Sequence, residues 1–244
     1  MIDVTRTDDV TVVELRRPER RNALDAATCD ALREAALAAD ADGTRALVVT
    51  GAGTSFCAGA DLDGVYGETF IAALYGMLGT LTELRIPVVA AVNGPAIGAG
   101  TQLALACDLR VAAPTARFGV PTARNGMAVD AWTIRTLAAV AGTGTARAMM
   151  LGAEMLDADT AYVRGLVDRI GDLDAALAWA TEIAGFAPLT LAYNKLVLNS
   201  RPADADADAG ARIAAGWDAC WSSEDVREAS IARTEKRPPV FVGR

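Results

Sequence analysis

Residues 87–93 read Pro87-Val88-Val89-Ala90-Ala91-Val92-Asn93, and Gly94-Pro95-Ala96-Ile97-Gly98-Ala99-Gly100 follows directly. The first stretch is a short unbroken apolar run between turn-forming ends, the pattern of a strand covered on both faces. The second is a glycine-rich turn, and a helix is predicted beyond it from about Thr101 to Ala106. The same unit occurs upstream. Ala46-Leu47-Val48-Val49-Thr50 is an apolar run, Gly51-Ala52-Gly53-Thr54-Ser55-Phe56-Cys57-Ala58-Gly59 is its loop, and a helix follows near Glu68 to Leu84. Leu109-Arg110-Val111-Ala112 reads as a third strand. Strands alternating with helices predict an α/β layout with a parallel sheet.

Working outward, Val4 and the alternating run Val10 to Leu15 predict two strands joined at Asp8-Asp9. Asp25 is placed to cap a helix from Ala26 to about Ala39. From Ala131 onward helical patterns dominate, over 131–140, 145–151, 172–184, 189–198, 209–221 and 223–234, with Leu166-Val167 as a residual strand signal. The run Pro202 to Asp208 is low-complexity and reads as a solvated loop or helix start. The chain therefore divides near residue 190, into an α/β core over 1–190 and a helical arm over 191–244.

Composition narrows the chemistry. The 244 residues carry a formal charge of −8, a poor match for a polyanion, so nucleic acid is not an expected partner. There is no histidine, which excludes Ser-His-Asp and Cys-His catalysis and histidine metal sites. No metal is expected. Lys195 and Lys236 are the lysines, so arginine carries most of the positive charge. Cys29, Cys57, Cys107 and Cys220 are scattered without a C-x-x-C, as buried reduced thiols of a cytoplasmic protein would be. No signal peptide opens the chain and no apolar run reaches membrane-spanning length.

Both glycine-rich turns sit at the carboxyl end of a buried strand, where open α/β folds bind ligands. Glycine lets a backbone approach closely, and the first turn of the next helix offers unpaired N–H groups with positive dipole. Gly98-Ala99-Gly100 suits an oxyanion or a carbonyl oxygen; the same glycines also suit close packing. Neither turn contains the Gly-Lys-Ser/Thr of a nucleotide-binding loop.

Five segments in order carry a family likeness: Arg17-Pro18-Glu19-Arg20-Arg21-Asn22-Ala23-Leu24, Thr50 to Leu62, Asn93 to Gly100, Cys107-Asp108-Leu109-Arg110 and Glu235-Lys236-Arg237-Pro238-Pro239. The chain resembles the enoyl-CoA hydratase/isomerase, or crotonase, superfamily, and is similar to its actinobacterial paralogues. The resemblance implies a β/α spiral core with a helical C-terminal arm used in trimerisation, as a homotrimer or hexamer. It implies a fatty acyl-CoA or enoyl-CoA ligand, with coenzyme A as part of that ligand and no separate cofactor. It also implies a role in lipid metabolism, with a lipid-metabolism protein as a possible partner. By motif position, the N–H groups of Ala60 and Ala99 would polarise the thioester carbonyl, an oxyanion hole. Ala58, Ala60, Asp61 and Leu62 match the segment that holds adenine and pantetheine. Arg20, Arg21, Ala23 and Leu24 match a stretch lining coenzyme A, with both arginines suited to phosphates or simply to a solvated turn. Lys236 and Arg237 match a tail that can approach those phosphates. Tyr66 and Tyr75 match the wall of the acyl tunnel.

The sequence departs from this pattern at two positions. The resemblance places one catalytic glutamate at Gln102 and the other at Thr122. An amide does not titrate and a threonine hydroxyl is a very weak base, so hydratase activity is expected to be weak or absent. Asp130, eight residues after Thr122, matches a catalytic aspartate of some superfamily isomerases. It is also a good helix N-cap before Ala131-Trp132-Thr133. Met127, Val129 and Trp132 around it would make an apolar pocket. Three activities stay open: acyl-CoA binding without efficient hydration, isomerase or other enolate chemistry at Asp130, and slow hydration with water positioned by Gln102. Cys57 and Phe118 read as packing, Trp217 and Trp221 as core or arm packing, and Asp108 as serving the fold near a strand start.

Overall fold

A computed structural model describes residues 1–61, 68–200 and 207–244. In chain order the strands are β1 (Ile2–Thr7), β2 (Val10–Leu15), β3 (Ala46–Gly51), β4 (Val88–Val92), β5 (Pro95–Ile97), β6 (Leu109–Ala112), β7 (Arg117–Gly119), β8 (Leu156–Asp157) and β9 (Arg169–Ile170). The helices are α1 (Ala26–Ala41), α2 (Glu68–Glu83), α3 (Ala99–Ala106), α4 (Ala131–Leu151), α5 (Ala158–Val163), α6 (Leu173–Ala184), α7 (Pro188–Asn199), α8 (Ala207–Ser222) and α9 (Glu224–Glu235). Short 3-10 turns cover Pro18–Arg20 and Pro121–Asn125.

The main sheet has the order β1-β2-β3-β4-β6-β9. Its first pair is an antiparallel hairpin turning at Asp8-Asp9, with Asp8 at φ 52. Every later pairing is parallel, with Val12 opposite Val48 and Val48 opposite Val89. The expected parallel α/β core is therefore present. Alternation along β3 explains the unbroken apolar run. Leu47 and Val49 face one core, with Leu32 and Ala36 of α1 and Leu74, Met77 and Leu81 of α2. Ala46 and Val48 face the other, with Ala176, Ala180 and Ile183 of α6.

A second sheet, β5-β7-β8, stands apart from the first. It corrects the reading of 94–100 as a bare loop, because Pro95–Ile97 pairs with Arg117–Gly119. Proline and a three-residue length hide such a strand from periodicity. Helix α3 also starts at Ala99 rather than Thr101. Leu166 and Val167 are buried, but the strand is Arg169–Ile170 just beyond them. The two helices expected over 131–151 are one element broken at Gly142, at φ 81 and ψ 150.

Lys195 of α7 anchors the arm. Its Nζ lies 2.7 Å from Asp108 and donates to the carbonyls of Leu81 at 2.9 Å and Ile86 at 3.0 Å. The same Asp108 oxygen accepts the N–H of Val88, so Asp108 does serve the start of a strand. Arg45 of the core holds the carbonyl of Phe241 at 2.9 Å, and Asp225 accepts the N–H groups of Val242 and Gly243. Trp217 lies 6.0 Å from Tyr193 and 5.7 Å from Trp221 by ring centroid, so the tryptophans pack within the arm and stay half exposed there. Cys29, Cys57 and Cys107 are buried as expected, whereas Cys220 on α8 is partly exposed, because α8 lies outside the core. Of the run Pro202 to Asp208, residues 202–206 lie outside the described residues. Among the described residues no single helix is long and apolar enough to cross a membrane.

Candidate functional site

Three loops meet at the carboxyl ends of β2, β3 and β4. Segment 21–24 pairs with segment 58–61: the Ala58 N–H donates to the Arg21 carbonyl at 2.9 Å, Leu24 to Gly59 at 2.8 Å and Asp61 to Leu24 at 2.7 Å. Segment 57–59 lies in turn against 95–99. Cys57 donates to the Pro95 carbonyl at 3.1 Å, and Ile97 donates to the Cys57 carbonyl at 2.9 Å. Glycine makes this approach possible. A Cβ on Gly59, whose φ is 110, would lie 2.9 Å from the Ile97 oxygen and 3.8 Å from the Ala99 nitrogen. A Cβ on Gly100 would lie 2.1 Å from the Cys57 oxygen. The structure thus brings Arg20, Arg21, Ala23, Leu24, Ala58, Ala60, Asp61 and Ala99 into one neighbourhood. Leu62 and Tyr66 lie outside the described residues.

Among the described residues, neither the Ala60 nor the Ala99 N–H is spent on a protein acceptor. Ala99 is the first residue of α3, whose opening amides have no intrahelical partner. Ala60 is half-buried and Ala99 buried. Arg20 and Arg21 are exposed at the edge of the same loops.

Two residues hold this edge together that sequence reasoning passed over. Arg17 donates to Asp61 at 2.9 Å and to the Ala23 carbonyl at 2.7 Å, and lies 3.0 Å from Asp25. Buried Asn22, at φ 56, donates to the carbonyls of Ala52 at 2.9 Å and Ser55 at 2.8 Å and accepts the Arg17 N–H at 3.0 Å. Asparagine tolerates that left-handed backbone better than most residues. The signal for both lay inside the 17–24 motif, where Arg20 and Arg21 drew attention as the exposed cations. Arg17→Met should remove about 1–3 kcal/mol of stability by taking one charged partner from mostly buried Asp61 and the donor from the Ala23 carbonyl; urea denaturation of both proteins measures it.

Gln102, on α3, is 3 % exposed, and its Nε2 donates to Thr133 Oγ1 at 2.8 Å. The Thr133 hydroxyl is hydrogen-bonded to Asp130 Oδ1. Asp130 caps α4, accepting the N–H groups of Trp132 at 3.1 Å and Thr133 at 3.2 Å. Its own N–H donates to the Tyr75 hydroxyl at 3.2 Å, which joins α2 to the same cluster. Thr122 takes another course. It sits half-buried in the 3-10 turn after β7, with its carbonyl accepting from Gly126 and Met127. Among the described residues no hydrogen bond joins it to Gln102. Thr133 was not singled out from the sequence, although the Asp-x-x-Thr spacing of a helix cap marks it.

Cys57 is fully buried, and burial pushes its thiol up to about 12, which makes it packing and not a nucleophile at neutral pH. Arg237 is engaged by Glu228 and Glu235, each at 2.6 Å.

The sequence model of the enoyl-CoA hydratase/isomerase family matches residues 5–244. The chain belongs to the enoyl-CoA hydratase/isomerase family. A Mycobacterium leprae relative named probable enoyl-CoA hydratase echA6 is 47 % identical over 255 residues, covering all of both chains. A Syntrophomonas wolfei relative named crotonyl-CoA hydratase is 30 % identical, covering 100 % of this chain and 98 % of its own. The solved structure of an enoyl-CoA hydratase from Polaromonas superposes with a TM-score of 0.89 at 29 % identity, over 99 % of each chain. The crotonase fold expected from the five segments is therefore the fold of this chain. Within that family fold, the segments 17–24, 50–61 and 93–100 are the ones that converge.

Proposed function

We propose that this protein binds fatty acyl-CoA or enoyl-CoA thioesters, and hydrates enoyl thioesters slowly or not at all. The thioester carbonyl would accept hydrogen bonds from the amides of Ala60 and Ala99, main-chain donors that no backbone acceptor among the described residues occupies. Arg20 and Arg21 supply cations for the phosphates of coenzyme A, and Ala23, Leu24, Ala58 and Asp61 the backbone ledge beside its adenine and pantetheine. The observation that carries the reading is the neutral pair at 102 and 122. Buried Gln102 has its amide nitrogen committed to Thr133, and among the described residues no hydrogen bond joins it to Thr122. Neither can take a proton from water near neutral pH. Missing acid–base help typically costs about 100- to 10,000-fold per group.

Asp130 is the remaining carboxylate, and it favours a capping role. Trp132 N–H, Thr133 N–H and the Thr133 hydroxyl fill three of the roughly four acceptor positions a carboxylate offers. A trimer assembled through the arm fits the exposed Leu198, Trp217, Trp221 and Ile231 there. A cytoplasmic location fits the free cysteines.

Two measurements test the function together. Calorimetry with coenzyme A thioesters of rising chain length should show binding that strengthens with length, by at most about 0.8 kcal/mol per buried CH2. Loss of enone absorbance with crotonyl-CoA should run at least ~100-fold below an efficient relative. Turnover equal to that relative would overturn the weak-hydratase reading, and absence of thioester binding would overturn the whole.

A further inference from the structure

Gln102 is the sole glutamine in the sequence, and the direction of its hydrogen bond follows from its neighbours. The Thr133 hydroxyl has one proton. An ionised Asp130 can only accept, so that proton goes to Asp130 Oδ1. The lone pairs of Thr133 Oγ1 then face Gln102, which must turn its NH2 toward them, as found at 2.8 Å. The Gln102 carbonyl oxygen is thereby turned away from Thr133. Both Gln102 and Thr133 are buried, at 3 % and 0 % exposure, so water does not readily replace either partner. The chain of bonds spans two helices: Gln102 on α3, Thr133 and Asp130 on the first turn of α4.

We propose that Thr133 is a positioning residue for the acyl-thioester site, which locks the Gln102 amide into one orientation through its hydroxyl bond to the capping Asp130. The inference rests on the acyl-thioester reading above. Gln102 lies three residues after Ala99 on α3, so the two project from one face about a turn apart. A Gln102 free to flip would offer the site a donor and an acceptor in turn. A locked Gln102 offers one fixed carbonyl, on a helix whose first amide is assigned to the thioester. A glutamate at 102 would instead have to compete with Asp130 for the single Thr133 hydroxyl proton.

Selective 15N labelling of glutamine side chains gives a single NH2 pair here, with no assignment needed. In the unmodified protein without ligand, that pair should resist exchange with water and show two well-separated proton signals. Fast exchange or averaged signals would overturn the proposal without any variant. Thr133→Val should release the pair to fast exchange and weaken acyl-CoA binding about 3- to 10-fold, the worth of one neutral hydrogen bond. Free coenzyme A should bind the variant as before. Thr133→Ser, which keeps the hydroxyl, should restore both the protected NH2 signals and the affinity. A Thr133→Val protein that melts as the parent does, yet keeps the protected pair and full affinity, would overturn the proposal. If the parent binds no thioester while its Gln102 pair is still protected, the acyl-CoA reading fails and the lock itself stands.

Discussion

Gly100→Ala is expected to abolish acyl-CoA binding, by ~100-fold or more, and to cost about 3 kcal/mol of stability. The added methyl would lie 2.1 Å from the Cys57 oxygen and 2.9 Å from its carbonyl carbon, both backbone atoms. That carbonyl already accepts the Ile97 N–H, while the Cys57 N–H donates to Pro95. Relieving the clash therefore separates the 57–60 loop from the start of α3, and with it the Ala60 amide from the Ala99 amide. Calorimetry with a long-chain acyl-CoA and a urea melt read the two effects. Gly76→Ala is the control. It lies within α2 with nothing within 4 Å of the added carbon, so it should stabilise by about 0.5–1 kcal/mol. A Gly100→Ala protein that binds as the parent would show that close approach of these loops is not needed for the ligand.

Lys195→Met should have a comparable effect on stability for a different reason. The lysine is 5 % exposed at its side chain, and its charge meets Asp108 at 2.7 Å beneath the arm. Removing one partner of a fully buried pair costs about 3–5 kcal/mol, and Asp108, 24 % exposed at its side chain and still bonded to the Val88 N–H, puts this loss at the lower end. The loss should depend on pH. Burial holds the Asp108 carboxyl above its ordinary value of 3.8, against the pull of Lys195 and the Val88 N–H. A carboxyl raised in the folded state keeps a proton that the unfolded chain has released. Its contribution to stability therefore declines as pH climbs from the ordinary aspartate range through the raised value. Without Lys195 the value rises further, so the variant should be closest to the parent near pH 4–5 and furthest from it near pH 8. Urea melts across that range test it, and a deficit that shrinks with rising pH would refute the account. Asp108→Asn in the Lys195→Met background should recover part of the loss, since an amide oxygen can still accept from Val88.

The apolar runs at 46–50 and 88–92 and the glycine-rich turns after them were legible as a parallel α/β core with glycine-rich loops at its strand ends. Burial on both faces leaves an unbroken apolar run, and close backbone approach leaves glycines, so both leave marks in adjacent residues. The β5-β7-β8 sheet left no such mark. Its strands are two or three residues long, and one begins at proline. The candidate site divides in the same way. Ala60 and Ala99 could be nominated from the sequence because main-chain donors follow from motif and turn. Arg17 and Thr133 were passed over because what they do depends on partners 44 and 31 residues away.

By itself the sequence determined the class of fold, the two loops where chemistry is possible, and the absence of titrating groups at 102 and 122. Those follow from residue type and short spacing. Tertiary structure decided that Gln102 turns its amide nitrogen to Thr133 and that Lys195 is held by Asp108. Each depends on how helices far apart in the chain pack, which brings a donor and an acceptor within about 3 Å where water cannot stand in for either.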